Sequence, residues 1–150
     1  MGTKNGDKKD YPYSPVIPNF WVDSVETMRS FYIEKLGFHH MMGVVGKDGK
    51  LDFCIVTRDD KLIMVGRPEE KIDGISTKHE GRRPLEMYIY LKDVDAYYAE
   101  VKGRGVAIES PISTQWWGDR NFAVKDPYGY QIWFGETVQD MVPPPGVKVI

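Results

Sequence analysis

One cysteine, three histidines and no apolar run long enough to cross a bilayer set the first limits on this chain of 150 residues. The lone Cys54 cannot close an intramolecular disulfide, so the expected compartment is a reducing one, the cytoplasm. Residues 1–11 are polar, with no apolar stretch of the kind a signal peptide needs, and Gly6 stands where myristoylation needs Ser or Thr. Neither secretion nor a membrane partner is expected. A net charge of −2 with both signs interspersed gives no field to attract nucleic acid. The chain also lacks GxSxG, CxxC and GxGxxG. Gly43 to Lys50 resembles a phosphate loop only loosely, since its spacing is too long and Leu51 replaces Ser or Thr. His79-Glu80 begins a metalloprotease-like pattern, but Arg83 takes the second His position.

What is present is an apolar fraction of 41% with 13% aromatics, the composition of an ordinary globular domain rich in rings. The chain also repeats its plan at offsets of 68 to 70 residues. Residues 16–23 and 86–93 are both strand-like runs ending in an Asp. Asp23, with Glu26 three residues on, reads as a helix cap, and Asp93 reads likewise. Val25, Met28, Phe31, Tyr32 and Leu36 share one helical face up to Gly37, and Val94, Tyr97, Tyr98 and Val101 share another. Three strands should follow each helix, at residues 40–45, 51–58 and 61–66, then 107–109, 120–125 and 130–135. Asp48-Gly49 signals a two-residue hairpin, and Asp126-Pro127-Tyr128-Gly129 a type I turn.

The spacing therefore predicts an α+β fold of two tandem βαβββ units. The repeats are 14–66 and 86–136, within one domain at 14–136. Residues 67–85 form a polar linker, 1–13 a flexible N-terminal segment, and 137–150 a proline-rich tail. Adjacent His39 and His40 point to opposite faces of a strand, so they cannot both hold one ion, and His40 is taken as a cavity wall.

Phe31-Tyr32 with Leu36-Gly37-Phe38, then Asp93-Val94-Asp95, Trp117-Gly118-Asp119-Arg120-Asn121-Phe122 and Asp126-Pro127-Tyr128-Gly129, come in the order that resembles the vicinal oxygen chelate superfamily. The glyoxalase and bleomycin-resistance branch is the most similar. Asn121, where Glu is common, and Tyr130, where Asn is common, depart from its pattern. The resemblance implies curved sheets around a cavity with helices on the convex side, and a homodimer. It also implies, in the enzymes, a divalent ion held from the first and fourth strands of each unit. Here those points fall at Val16, Met64, Glu86 and Trp133, of which only Glu86 can ligate. No metal or other cofactor is expected.

In that register the cavity-facing residues are Phe20, His40, Met64, Glu86, Tyr88, Tyr90 and Trp133, with Trp116 and Trp117 nearby. Rings around a carboxylate suit sequestration of a planar aromatic, cationic ligand, as in bleomycin resistance. Two alternatives stand beside this reading. One is a glyoxalase-like or dioxygenase-like enzyme, and the other is a cavity merely filled by its rings.

Overall fold

The computed structural model describes residues 16–70, 75, 77 and 81–150. The expected N-terminal segment 1–13 lies outside the described residues, as does His79-Glu80 within the linker. The first unit runs β1 (Asn19–Trp21), α1 (Val25–Ser30) with a π-helical continuation Phe31–Lys35, β2 (His39–Val45), β3 (Leu51–Arg58) and β4 (Lys61–Gly66). The second runs β5 (Glu86–Tyr90), α2 (Val94–Gly103), β6 (Ile108–Thr114), β7 (Asp119–Lys125) and β8 (Gln131–Thr137). Their sheets have equivalent orders, β1-β4-β3-β2 and β5-β8-β7-β6, with the first strand of each parallel to the fourth. Asn19 pairs with Met64 as Tyr88 pairs with Trp133, so the repeat holds at an offset of 69.

Each helix packs on one face of its sheet, because one strand parity is apolar. Cys54, Val56, Ile63 and Val65 meet Val25, Met28 and Tyr32 in the first unit, and Phe122, Ile132 and Phe134 meet Tyr97 and Val101 in the second. The units are joined by Tyr97, which donates to the Leu36 carbonyl at 2.7 Å, by the Arg58–Glu100 pair at 3.1 Å, and by Tyr128.

Several local expectations are corrected. The first helix is capped by Ser24, whose Oγ accepts from the Thr27 amide at 3.2 Å. Asp23 is free for another role because its Oδ1 accepts from the Tyr128 hydroxyl at 2.8 Å, while Glu26 reaches the Leu51 amide at 2.6 Å. Asp93 does cap the second helix, in the left-handed region at φ 55°. The β2–β3 hairpin turns through residues 46–50, not through Asp48-Gly49 alone. β6 is longer than expected and passes through Pro111. It can do so because β6 is an edge strand whose register shifts between Ser110 and Ser113, so no ladder bond is lost. At the predicted turn, Asp126 Oδ1 accepts from the amides of Tyr128 and Tyr130 at 2.8 and 3.0 Å, and Gly129 takes φ 84°.

Candidate functional site

The open face of the second sheet is built by strand parity. Glu86, Tyr88 and Tyr90 on β5 stand beside Gln131, Trp133 and Gly135 on β8, and these beside Lys125, Ala123 and Asn121 on β7. Gly135 makes room for the rings: a Cβ there would lie 2.9 Å from the Tyr88 ring. Tyr88 and Tyr90 then sit with ring centroids 5.0 Å apart.

Their hydroxyls converge on Asp119. Tyr88 and Tyr90 donate to its Oδ2 at 2.9 and 2.8 Å, and Thr137 donates to Oδ1 at 2.8 Å. Asp119 is only 4% exposed, and burial opposes its charge. The hydrogen bonds from Thr137, Tyr90, Tyr88 and Trp117 outweigh that penalty and hold its carboxyl below the usual range. The same bond, with the negative charge beside it, pushes the Tyr90 hydroxyl up to about 12. Around this hub, Asn121 Nδ2 donates to the Tyr88 oxygen at 3.1 Å, and Gln115 Nε2 donates to Asn121 Oδ1 at 3.1 Å.

The second carboxylate, Glu86, accepts from Trp133 Nε1 at 2.9 Å and pairs with Arg82 of the linker. Glu86, Tyr88, Gln115, Trp117, Asn121 and Trp133 line a pocket of about 300 Å³. Beside it a groove of about 530 Å³ opens between the two units, walled by Val16–Pro18, Leu62 and the β5 residues Glu86–Tyr90.

Of the sequence-predicted site residues, Glu86, Tyr88, Tyr90, Trp117 and Trp133 come together here. Trp116 abuts Trp117 edge-on at 5.6 Å without lining the pocket. Met64 is on the open face of the other sheet, beside Asn19 and Ile55. Phe20 and His40 lie on the helix faces. Phe20 pairs with buried Val65 and packs on Tyr130 at 5.0 Å. His40 pairs with buried Val56 and accepts from Arg29 at 3.1 Å. The cause for Phe20 is a one-residue register difference in the first strand, which inverts its parity and puts Ile17, not Val16, in the place equivalent to Glu86. His39, opposite Thr57, takes the parity assigned to His40.

The sequence reading missed Asp119, Gln115, Thr137 and Arg82. Alternation of Asp119 and Asn121 with Phe122 on β7 was a usable signal for the hub, and the four-residue spacing was one for the Arg82–Glu86 pair.

The metal position of the superfamily enzymes can be tested against these side chains. Ile17, Met64 and Trp133 offer no hard donor, and Glu86 is occupied by an indole N–H and a guanidinium, both aimed where a cation would bind. These residues do not fit a divalent ion, and among the described residues no cluster of three His, Cys, Asp or Glu could hold one.

Two βαβββ units, each with its helix packed on one sheet face, and an aromatic, carboxylate-bearing open face define an α+β protein of the vicinal oxygen chelate type. The chain belongs to the Glyoxalase/Bleomycin resistance protein/Dioxygenase superfamily, whose model matches residues 17–134. It is similar to protein Rv0887c of Mycobacterium tuberculosis strain H37Rv, at 25% identity over 147 residues, covering 92% of this chain and 84% of that protein. Among solved structures it resembles TioX from Micromonospora sp. ML1, with TM-score 0.66, 17% identity, and 84% and 100% of the two chains covered. It also resembles TnmS3, an antibiotic binding protein from Streptomyces sp. CB03234, with TM-score 0.60, 26% identity, and 83% and 97% covered.

Proposed function

We propose that this chain is a metal-free binding protein of the bleomycin-resistance type, sequestering a planar aromatic, cationic small molecule on the open face of its second sheet. The observation that carries this reading is that Tyr88, Trp117 and Trp133 line one pocket with Glu86, while Tyr90 lines the adjoining groove and shares Asp119 with Tyr88. Ring faces attract both flat systems and cations, at about 0.5–2 kcal/mol per contact. Arg82 occupies Glu86 from a side chain that is 59% exposed, so an incoming cation can replace it without stranding a buried charge. Resemblance to an antibiotic binding protein supports the same reading. A lyase, isomerase or dioxygenase has less support, because the one carboxylate at the expected ligand positions is already hydrogen-bonded and paired.

The protein would act as a cytoplasmic homodimer of 14–136 domains, with its open apolar residues Trp21, Met42 and Val44 available to a second copy. A hydrodynamic mass near one chain at micromolar concentration would contradict the dimer. Calorimetric titration tests the ligand class. Proflavine, a flat cation, should bind at least tenfold more tightly than anthracene-2-carboxylate. Glu86→Gln should weaken proflavine more at low salt than at high salt, and Trp133→Ala should weaken it at any ionic strength. Equal affinity for the two compounds would remove the carboxylates from recognition, and failure of both to bind would sink the whole reading.

A further inference from the structure

The hydrogen bonds of the pocket have a direction, and that direction selects among ligands. A carboxylate only accepts, so both tyrosine hydroxyls must point their protons inward at Asp119. Asp119 stays ionised, being held below the usual carboxylate range, so this orientation persists at neutral pH. Both amide hydrogens of Gln115 are spent, on Ser113 Oγ at 2.9 Å and on Asn121 Oδ1. The indole of Trp133 is spent on Glu86, and that of Trp117 is turned toward Asp119 and the Tyr88 oxygen. What remains outward is mostly acceptor capacity, namely two lone pairs on the Tyr90 oxygen, Gln115 Oε1 and the unfilled sites of the Glu86 carboxylate, with the Arg82 guanidinium at the rim and the second Asn121 amide hydrogen as the donors beside them. Tyr90 and Tyr88 are 56% and 40% exposed, so a flat ligand can reach this pair.

Resting on the binding function proposed above, we infer that the pocket selects aromatic ligands by their hydrogen-bond donors, and that Asp119 sets this polarity as a positioning residue by holding the Tyr88–Tyr90 pair with its oxygens outward. A flat ligand with hydroxyl or amino substituents meets partners across the face. One with only carbonyl or ether oxygens meets lone pairs across the Tyr88–Tyr90 pair and finds donors only at the Arg82 rim and the Asn121 amide. Charge is not required for this discrimination, which separates it from the cation preference carried by Glu86.

The test uses two neutral probes of matched shape, 2,6-dihydroxynaphthalene and 2,6-dimethoxynaphthalene, titrated calorimetrically into the full chain. The wild type should prefer the diol by about tenfold, the worth of one or two satisfied hydrogen bonds. Asp119→Asn replaces an obligate acceptor with a group that also donates, which frees a tyrosine proton to point outward. The preference should then fall to about twofold or invert. Because loss of a buried hub can unfold the sheet, Tyr90→Phe supplies a second reading: it keeps the ring and should reduce diol affinity severalfold while leaving dimethoxynaphthalene unchanged. Equal wild-type affinities, or a preference that survives both variants, would overturn the inference while leaving aromatic binding intact. If neither naphthalene binds although proflavine does, the donor rule is likewise overturned and only the cation reading stands. If no flat aromatic binds at all, both fail together.

Discussion

Asp126 offers the sharpest test of how the turn between β7 and β8 is held. Its Oδ1 is committed to two backbone amides of the turn, but Oδ2 is buried with no hydrogen-bond partner, and so is the nearby Tyr32 hydroxyl. Burial raises the carboxyl from its ordinary 3.8 to about 6, despite the amide hydrogen bonds and the positive charge of Arg83. A raised folded pKa means that the folded state binds the extra proton between those two values. The stability that Asp126 contributes is therefore fully present below about 3.8 and is lost as pH rises through the window to about 6. A shift of roughly two units corresponds to about 3 kcal/mol of unfolding free energy lost across that range. Urea unfolding at pH 4, 5, 6 and 7 reads it directly. Asp126→Asn keeps an oxygen for the turn amides and carries no charge, so its stability should lack this slope and exceed the wild type at pH 7 by up to about 3 kcal/mol. Carboxylates with lowered values, such as Asp119, act in the opposite sense, but below 3.8 and equally in both proteins. Parallel pH profiles for wild type and Asp126→Asn would refute the reasoning.

Gly135→Ala would drive a methyl group into the Tyr88 ring, costing about 1–3 kcal/mol of stability and more than tenfold in diol affinity; unchanged binding would mean the rings do not need that gap. Ser24→Ala should cost about 1 kcal/mol through the lost helix cap. Asp23→Ala should instead weaken the union of the units by removing the Tyr128 hydrogen bond, with α1 helicity unchanged by circular dichroism. Cys54 is fully buried on β3, and burial pushes its thiol up to about 11, so Ellman's reagent at pH 8 should label it only at the rate of unfolding; prompt native labelling would contradict its placement.

The fold was readable because the repeat is physical. Two stretches 69 residues apart carry the same alternation, the same helix stop and the same strand count, and β3 and β4 fall on the residues the pattern marks. Parity along β5, β7 and β8 was readable too, since Ile89, Phe122, Ile132 and Phe134 can only face the helices. The first strand was not. β1 is three residues long, it follows Pro18, and Val16 and Ile17 are both apolar, so hydrophobicity could not choose between registers one residue apart. His40 failed for a related reason: β2 is an exposed edge strand with a register shift after His40, where no buried face fixes parity. Trp117 and Trp133 announced themselves by type, whereas Asp119 and Gln115 act through hydrogen bonds whose partners come from β5, β6 and β8. Alternation along β7 marks the face that Asp119 shares with Asn121, but no spacing in the sequence names those partners.

The repeat also shows what each unit has been left free to vary. Gly66 and Gly135 occupy equivalent places in the fourth strands, and in each unit an aromatic ring lies over the glycine: Trp21 in the first and Tyr88 in the second. The opening in the sheet is thus a property of the shared scaffold. The groups around it are not. The first sheet surrounds Trp21 with Phe53, Ile55, Met64 and Val44, which offer contact area, and with the neutral amide of Asn19, but with no carboxylate. The second surrounds Tyr88 with Asp119, Asn121 and Glu86, which can offer direction. A flat ligand needs area from one surface and orientation from another, and the carboxylate hub lies on one sheet alone. On the function proposed above, specificity would reside in the second unit, while the first would supply apolar surface for a flat ring or a second copy of the chain.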